Sequence, residues 1–370
     1  MRLSRILFAL ILAYPVGTLL FFWLMREPPL EPPYAPSRVI TDVKFDFRSM
    51  RRHAIGSDNF PVTWGADDHQ YAIWGDGAGF QDSGRQSLGV ARIEGAFPDH
   101  RGVDVFGGPG AENPAQFDGR SFNGKSYGLV DIDGKLYMWV SPLSDANNFK
   151  EARLAYSFDR SRTWTLADWA FTQEDGMVIP TICQFGRGYS GARDTYVYSY
   201  FIRLQSASKL QIQKPGQIDL LRVPKERFLV RETYEFFAGL DGNGEPRWST
   251  RLEDRRPVFE DPNGVGWNLS VSYNPGLRRY FLSTEHGRSF ESKLGVFEAP
   301  EPWGPWRTVA YFDDWGGFGR RGGRFFFWNF SNKWLSEDGK SFVLVASGCC
   351  DMEFSQGFNT VPGRFVLAED

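Results

Sequence analysis

The chain has 370 residues, 16% of them aromatic, with 40 glycines and 22 prolines. That supplies a large core but favours turns over long helices. Forty-two basic residues against 45 acidic ones give a net charge of −3, without the basic excess or stripe of a nucleic-acid binder, so no nucleic-acid partner is expected.

Residues 6–25 (ILFALILAYPVGTLLFFWLM) carry no charge, and at about 1.5 Å per residue a helix of that length spans a bilayer core. Arg2 and Arg5 precede the run, which orients it with the rest of the chain outside the cytoplasm. A signal anchor over 1–27 is expected, with a cleaved signal peptide as its rival. Localisation is then the cell membrane, single-pass, or secretion. Prolines 28, 29, 32, 33 and 36 read as an extended linker over 28–44.

Beyond residue 45 no helical periodicity persists, and an all-β domain over 45–370 is expected. Five segments share one pattern, a turn and then an aromatic residue opening a short apolar strand. Their aromatics are Tyr71, Tyr137, Tyr196, Tyr280 and Phe342, at steps of 66, 59, 84 and 62 residues. Such a period suggests a five-bladed β-propeller, in which radial repetition protects strand edges; a pair of β-sandwiches is the alternative. The long step predicts an insertion over 203–232, with KPGQIDLLRVPKERF as a short helix on the rim. SFDRSRTW (157–164) resembles the Asp-box hairpin of sialidase-type propellers, a structural turn, with Ser161 in the glycine position. A sialidase would also need converging arginines, and the spacing selects none.

The stretch NFPVTWGADDHQYAIWGDGAGF (59–80) interleaves aromatics with carboxylates. As a hairpin turning at GADDH, it leaves Asp67 and Asp68 to cap the turn. Trp64 then faces Gln70, Val62 faces Ala72, Phe60 faces Trp74, and Asp58 faces Asp76. Like charges directly opposite are destabilising. Coupled carboxylates, however, split their pKa values into one acid and one base, the pair that glycoside hydrolysis uses. The alternative is a pair of surface carboxylates flanking a hairpin.

The four histidines show no metal-ligand spacing, and no nucleotide fingerprint is present. No metal ligand and no cofactor requirement are expected, although a propeller leaves room for a divalent cation in its central channel. DGNGE (241–245) reads as an exposed turn. Cys183 could pair with Cys349 or Cys350. Asn268-Leu-Ser and Asn329-Phe-Ser are sequons if the host glycosylates.

SDNFPVTWGADDHQYAIWGDGAGF, ARDTYVYSY, YEFFAGLDGNGEPRWS, GWNLSVSYNPGLRRYFLS, APEPWGPWRTV and KWLSEDGKSFVLVASG together resemble a bacterial and fungal family long labelled a domain of unknown function. The resemblance covers about residues 45–370. Some members of that family are endo-D-arabinanases with a five-bladed propeller and two catalytic aspartates in the first blade, and Asp58 and Asp76 match those positions. The resemblance therefore implies a hydrolase of furanoside polysaccharide such as arabinan. The alternative is a non-catalytic propeller that binds envelope polysaccharide or a partner protein. Trp64, Trp74, Asp194, Asn268 and Trp328 are the expected substrate-binding residues. Asp194 is included because it follows Arg193 at a strand start, where it could face the same rim.

Overall fold

The computed structural model describes residues 29–82, 84–108, 110–113, 116–117, 120–121, 124–141, 150–177, 180–205 and 211–368. The chain divides into two compact units, Met1–Glu31 and Pro32–Asp370. The expected membrane span over 6–25 lies outside the described residues, and among these no helix is long and apolar enough to cross a membrane.

The second unit is a five-bladed propeller built from antiparallel sheets. Blade 1 runs through Asp58–Trp64, Gln70–Gly75, Gly89–Glu94 and Arg101–Phe106, and blade 2 through Lys125–Ile132, Lys135–Ser141, Glu151–Ser157 and Thr165–Thr172. Blade 3 has Pro180–Ile182, Tyr196–Ile202, Gly216–Pro224 and Glu235–Leu240, and blade 4 has Leu269–Asn274, Arg279–Glu285, Leu294–Ala299 and Arg307–Phe312. Blade 5 takes Phe325–Leu335, Ser341–Gly348 and Phe358–Leu367 from the end of the chain and its outer strand, Ile40–Phe45, from the beginning. The first strand of each blade lines the channel beside the first strands of its neighbours.

All five aromatic-led segments are second strands of blades, and the apolar cores lie between adjacent blades. Tyr71 and Ile73 of blade 1 pack with Leu129 and Met138 of blade 2, Phe281 of blade 4 packs with Phe330 of blade 5, and Val62 and Trp74 of blade 1 pack with Val345 of blade 5. These strands are buried on both faces, so they read as apolar runs rather than as strict alternation.

Three sequence expectations need correction. Gly216–Pro224 is a strand, not a rim helix, because Ile218, Leu220, Leu221 and Val223 are all buried; only Lys225–Arg227 forms a 3-10 turn. The extra length of blade 3 follows its fourth strand, as Pro246–Ser249 and Pro257–Asp261. Residues 32–44 are not simply a spacer, since Ile40 and Val43 are buried in blade 5. In addition, the Tyr34 ring lies 5.1 Å from Phe259 and 6.0 Å from Phe297, and its hydroxyl accepts from Glu260 N at 2.8 Å.

The hairpin at 157–164 is built as its motif implies. Asp159 Oδ1 accepts from Arg162 N and Thr163 N, both at 3.0 Å, and Trp164 is buried with Nε1 donating to Ser161 Oγ at 2.9 Å. Ser161 holds a left-handed φ of 71° in the glycine position. Cys349 and Cys350 are bonded to each other, leaving Cys183 buried as a free thiol.

Ring closure depends on the first strand of this unit. Val43→Asp places a carboxylate in the core of blade 5 and is expected to cost about 3 kcal/mol or more. A large fall in Tm by scanning calorimetry is the expected result, and a Tm within about 2 °C of wild type would contradict this closure.

Candidate functional site

Asp58 opens the first strand of blade 1, and Asp76 follows the end of the second. The hairpin register agrees with expectation at Trp64↔Gln70 and Val62↔Ala72 and then shifts by one residue, so that Asn59 pairs with Trp74 and Asp58 with Gly75. The cause is Pro61, which has no N–H to give the ladder and is accommodated at a bulge. Asn59 and Phe60 take left-handed φ values of 73° and 71° there. The two aspartates are thus not directly opposed; Asp76 lies one residue beyond the partner of Asp58. Gly75 fits closely at this point, because a Cβ would sit 3.2 Å from Asp58 Oδ1 and 3.0 Å from Asn59 Nδ2.

Asp58 is buried, and its Oδ1 accepts from Asn59 Nδ2 at 3.1 Å. Desolvation pushes its carboxyl up to about 7; the Lys125 ammonium opposes this, the Asp76 charge adds to it, and Arg85 opposes it weakly. Asp76 is 40% exposed and ion-paired with Lys125, which is only 6% exposed and also donates to Ser87 O at 3.0 Å. Burial, with the Asp58 and Asp76 charges, holds the Tyr127 hydroxyl well above its usual pKa. The Tyr127 ring meets Trp267 edge-on at 5.3 Å, and Trp267 stacks on Phe326 at 4.9 Å. This mouth of the channel therefore joins a carboxyl poised near neutrality, a more exposed carboxylate and a buried cation, backed by a buried aromatic cluster.

The expected substrate-binding residues are dispersed. Asn268 is close, with Nδ2 donating to Asn59 Oδ1 at 3.4 Å. Trp64 lies at the far end of the Asp58 strand and donates from Nε1 to Asp68 Oδ1 at 2.9 Å. Asp194 precedes the second strand of blade 3 and so lies at the opposite mouth; it accepts from Tyr196 N at 2.8 Å and from the Tyr198 hydroxyl at 2.6 Å. The Trp74 ring is buried against Gly89. Trp328 is buried in the core between blades 4 and 5, with Trp315 edge-on at 5.9 Å. Sequence reasoning missed Lys125, Tyr127 and Trp267. Lys125 had a signal: it heads KSYGLVDI, a strand otherwise built for burial. Among the described residues no group of three or more His, Cys, Asp or Glu could hold a metal ion.

Residues 127–317 match the family described as a domain of unknown function, DUF4185. The chain belongs to this family. The match takes in Tyr127, Trp267 and Asn268, while Asp58, Asp76 and Lys125 of this DUF4185 chain precede it. No curated protein matches the sequence. Among solved structures the DUF4185 chain is similar to a protein from Bacteroides ovatus, with TM-score 0.52 and 12% identity over 85% of this chain and 87% of that one. It is also similar to the GH43_1 enzyme from Xanthomonas citri, with TM-score 0.50 and 12% identity over 87% and 94%. A third likeness is to RS223 β-xylosidase, with TM-score 0.50 and 14% identity over 86% and 95%. At such identities the likeness supports the propeller fold.

Two variants test the electrostatics. Folding raises the Asp58 pKa above its unfolded value, so ionising Asp58 costs stability. That cost is absent below about pH 4, grows as pH rises, and levels off above about 7. Asp58→Asn should therefore raise Tm relative to wild type more at pH 8 than at pH 4; thermal melts with no such pH dependence would refute the assignment. Asp76→Asn behaves oppositely. The sequence alone suggests relief of like-charge repulsion, but the structure shows a lysine that would be left buried without its counter-ion. A loss of about 1–2 kcal/mol is expected, measurable by urea unfolding, and partly restored by adding Lys125→Met.

Proposed function

We propose that this protein hydrolyses furanoside-type glycosidic bonds in an arabinan-like polysaccharide. The observation that carries the reading is the unequal pair at the channel mouth: Asp58 is buried with its carboxyl pushed up to about 7, while Asp76 is partly exposed and faces Lys125. Asp58 is the general acid, protonating the departing glycosidic oxygen. Asp76 is the second carboxylate, either activating water or attacking the anomeric carbon. The resemblance of the sequence to a family with endo-D-arabinanase members supports the substrate class.

Lys125 holds Asp76 in place, and the Asn59 amide holds Asp58. No step needs a metal or an organic cofactor. The product anomer reports the geometry: carboxyl groups about 5–5.5 Å apart give retention, and about 6.5–9.5 Å give inversion.

The test is release of new reducing ends from a panel of arabinans. General acid–base groups contribute about 10²–10⁴-fold each, so Asp58→Asn and Asp76→Asn should each cut turnover by at least about a hundredfold. With Asp58 as acid, kcat/KM should fall as pH rises through about 7. An acid-side limb at that pH would instead make Asp58 the base, and variants within about threefold of wild type would end the two-aspartate assignment.

A further inference from the structure

A cavity of about 420 Å³ opens between blades 4 and 5, lined by residues that include Phe290, Glu291, Lys293, Asp313, Arg320 and Arg324. Its size falls within the range of small-molecule sites, roughly 300–1,000 Å³. Its Phe290–Lys293 side follows the end of the second strand of blade 4, as Asp76 follows that of blade 1, and the Phe290 ring lies 6.0 Å from Trp267 and 5.5 Å from Phe326, both buried. Phe290 is held by Glu285, a fully buried carboxyl at the end of the second strand of blade 4 that accepts from Phe290 N. Glu285 Oε2 is buried with no hydrogen-bond partner.

The charges in the lining decide the ligand class. Lys293 pairs with Glu291 at 3.2 Å, and Arg320 with Asp314 at 3.1 Å. Arg324 and Asp313 carry no side-chain partner among the described residues and are both exposed. Three cations and three anions line the cavity, so it has no net preference for a charged ligand. A free guanidinium fork and a free carboxylate, set beside an aromatic ring, instead suit a neutral polyol that offers adjacent hydroxyls and an apolar face.

We propose that this cavity is a second sugar-binding subsite, taking the part of a neutral glycan chain that extends from the Asp58–Asp76 centre towards blade 5. The inference rests on the glycosidase reading for the identity of the chain. The partly exposed Phe290 ring packs against the apolar face of a sugar, and Arg324 and Asp313 bind its hydroxyls.

The test measures binding rather than turnover, by calorimetry with linear arabinofuranose oligosaccharides of two to six units. In wild type, affinity should rise with length. Arg324→Ala should lose about tenfold in affinity for the longest oligosaccharides and little for the disaccharide. Phe290→Ala should do the same, with melting curves confirming that both variants fold. If both bind the hexasaccharide as tightly as wild type, or if no oligosaccharide binds, the subsite is overturned. If binding depends on Arg324 but no arabinan is cleaved, the glycosidase reading fails and the subsite stands. If arabinan is cleaved but binding is independent of Arg324 and Phe290, the subsite is overturned and the glycosidase reading stands.

Discussion

The geometry depends on the closed ring of first strands. Each blade begins at the channel, and in blade after blade the start of the first strand and the end of the second share one mouth. Residues far apart in sequence therefore converge without a dedicated loop: Asp58, Lys125 and Trp267 each stand at or just before the start of a first strand. Asp76 and Glu285 stand at the ends of second strands in different blades. The wedge-shaped cores between blades hold these strands in place, because a strand buried on both faces cannot slip by one residue without turning its apolar side chains out of both interfaces.

Within that ring, two aspartates of one hairpin acquire different chemistry from small differences in backbone. Pro61 breaks the ladder, the bulge moves Asp58 to face Gly75, and Asp58 is left buried with the Asn59 amide donating to it. Asp76, one residue past the ladder, takes a left-handed turn towards solvent and Lys125. Desolvation raises the first, while the second stays partly exposed beside its lysine.

The fold was legible in the sequence because each blade repeats an aromatic-led second strand, and because SFDRSRTW encodes a turn with its own internal hydrogen bonds. The site was less so. The hairpin arithmetic brought both aspartates to one end of the hairpin but carried the pairing straight through Pro61, the residue that breaks it. Lys125 and Trp267 come from other blades, and pairing within one hairpin holds no information about neighbours across the channel. Tryptophan content does not separate core from site: Trp74, Trp328 and Trp267 are all buried, the first two in the cores between blades. The KPGQIDLLRVPKERF segment reads as a short rim helix within an insertion, yet its apolar positions are those of a strand buried on both sides.

The ring joins its first-made strand to its last. Ile40–Phe45 pairs with Phe358–Leu367, so during synthesis the first strand of the propeller to emerge waits for the final one. Until then the outer strand of blade 5 lacks its partner, and an open edge of unpaired N–H and C=O groups faces the surroundings. Long-range pairing of this kind is slow to form, and chains waiting for it are prone to joining one another. The same strand that completes the molecule thus makes the nascent chain depend on protection until its last blade has been made.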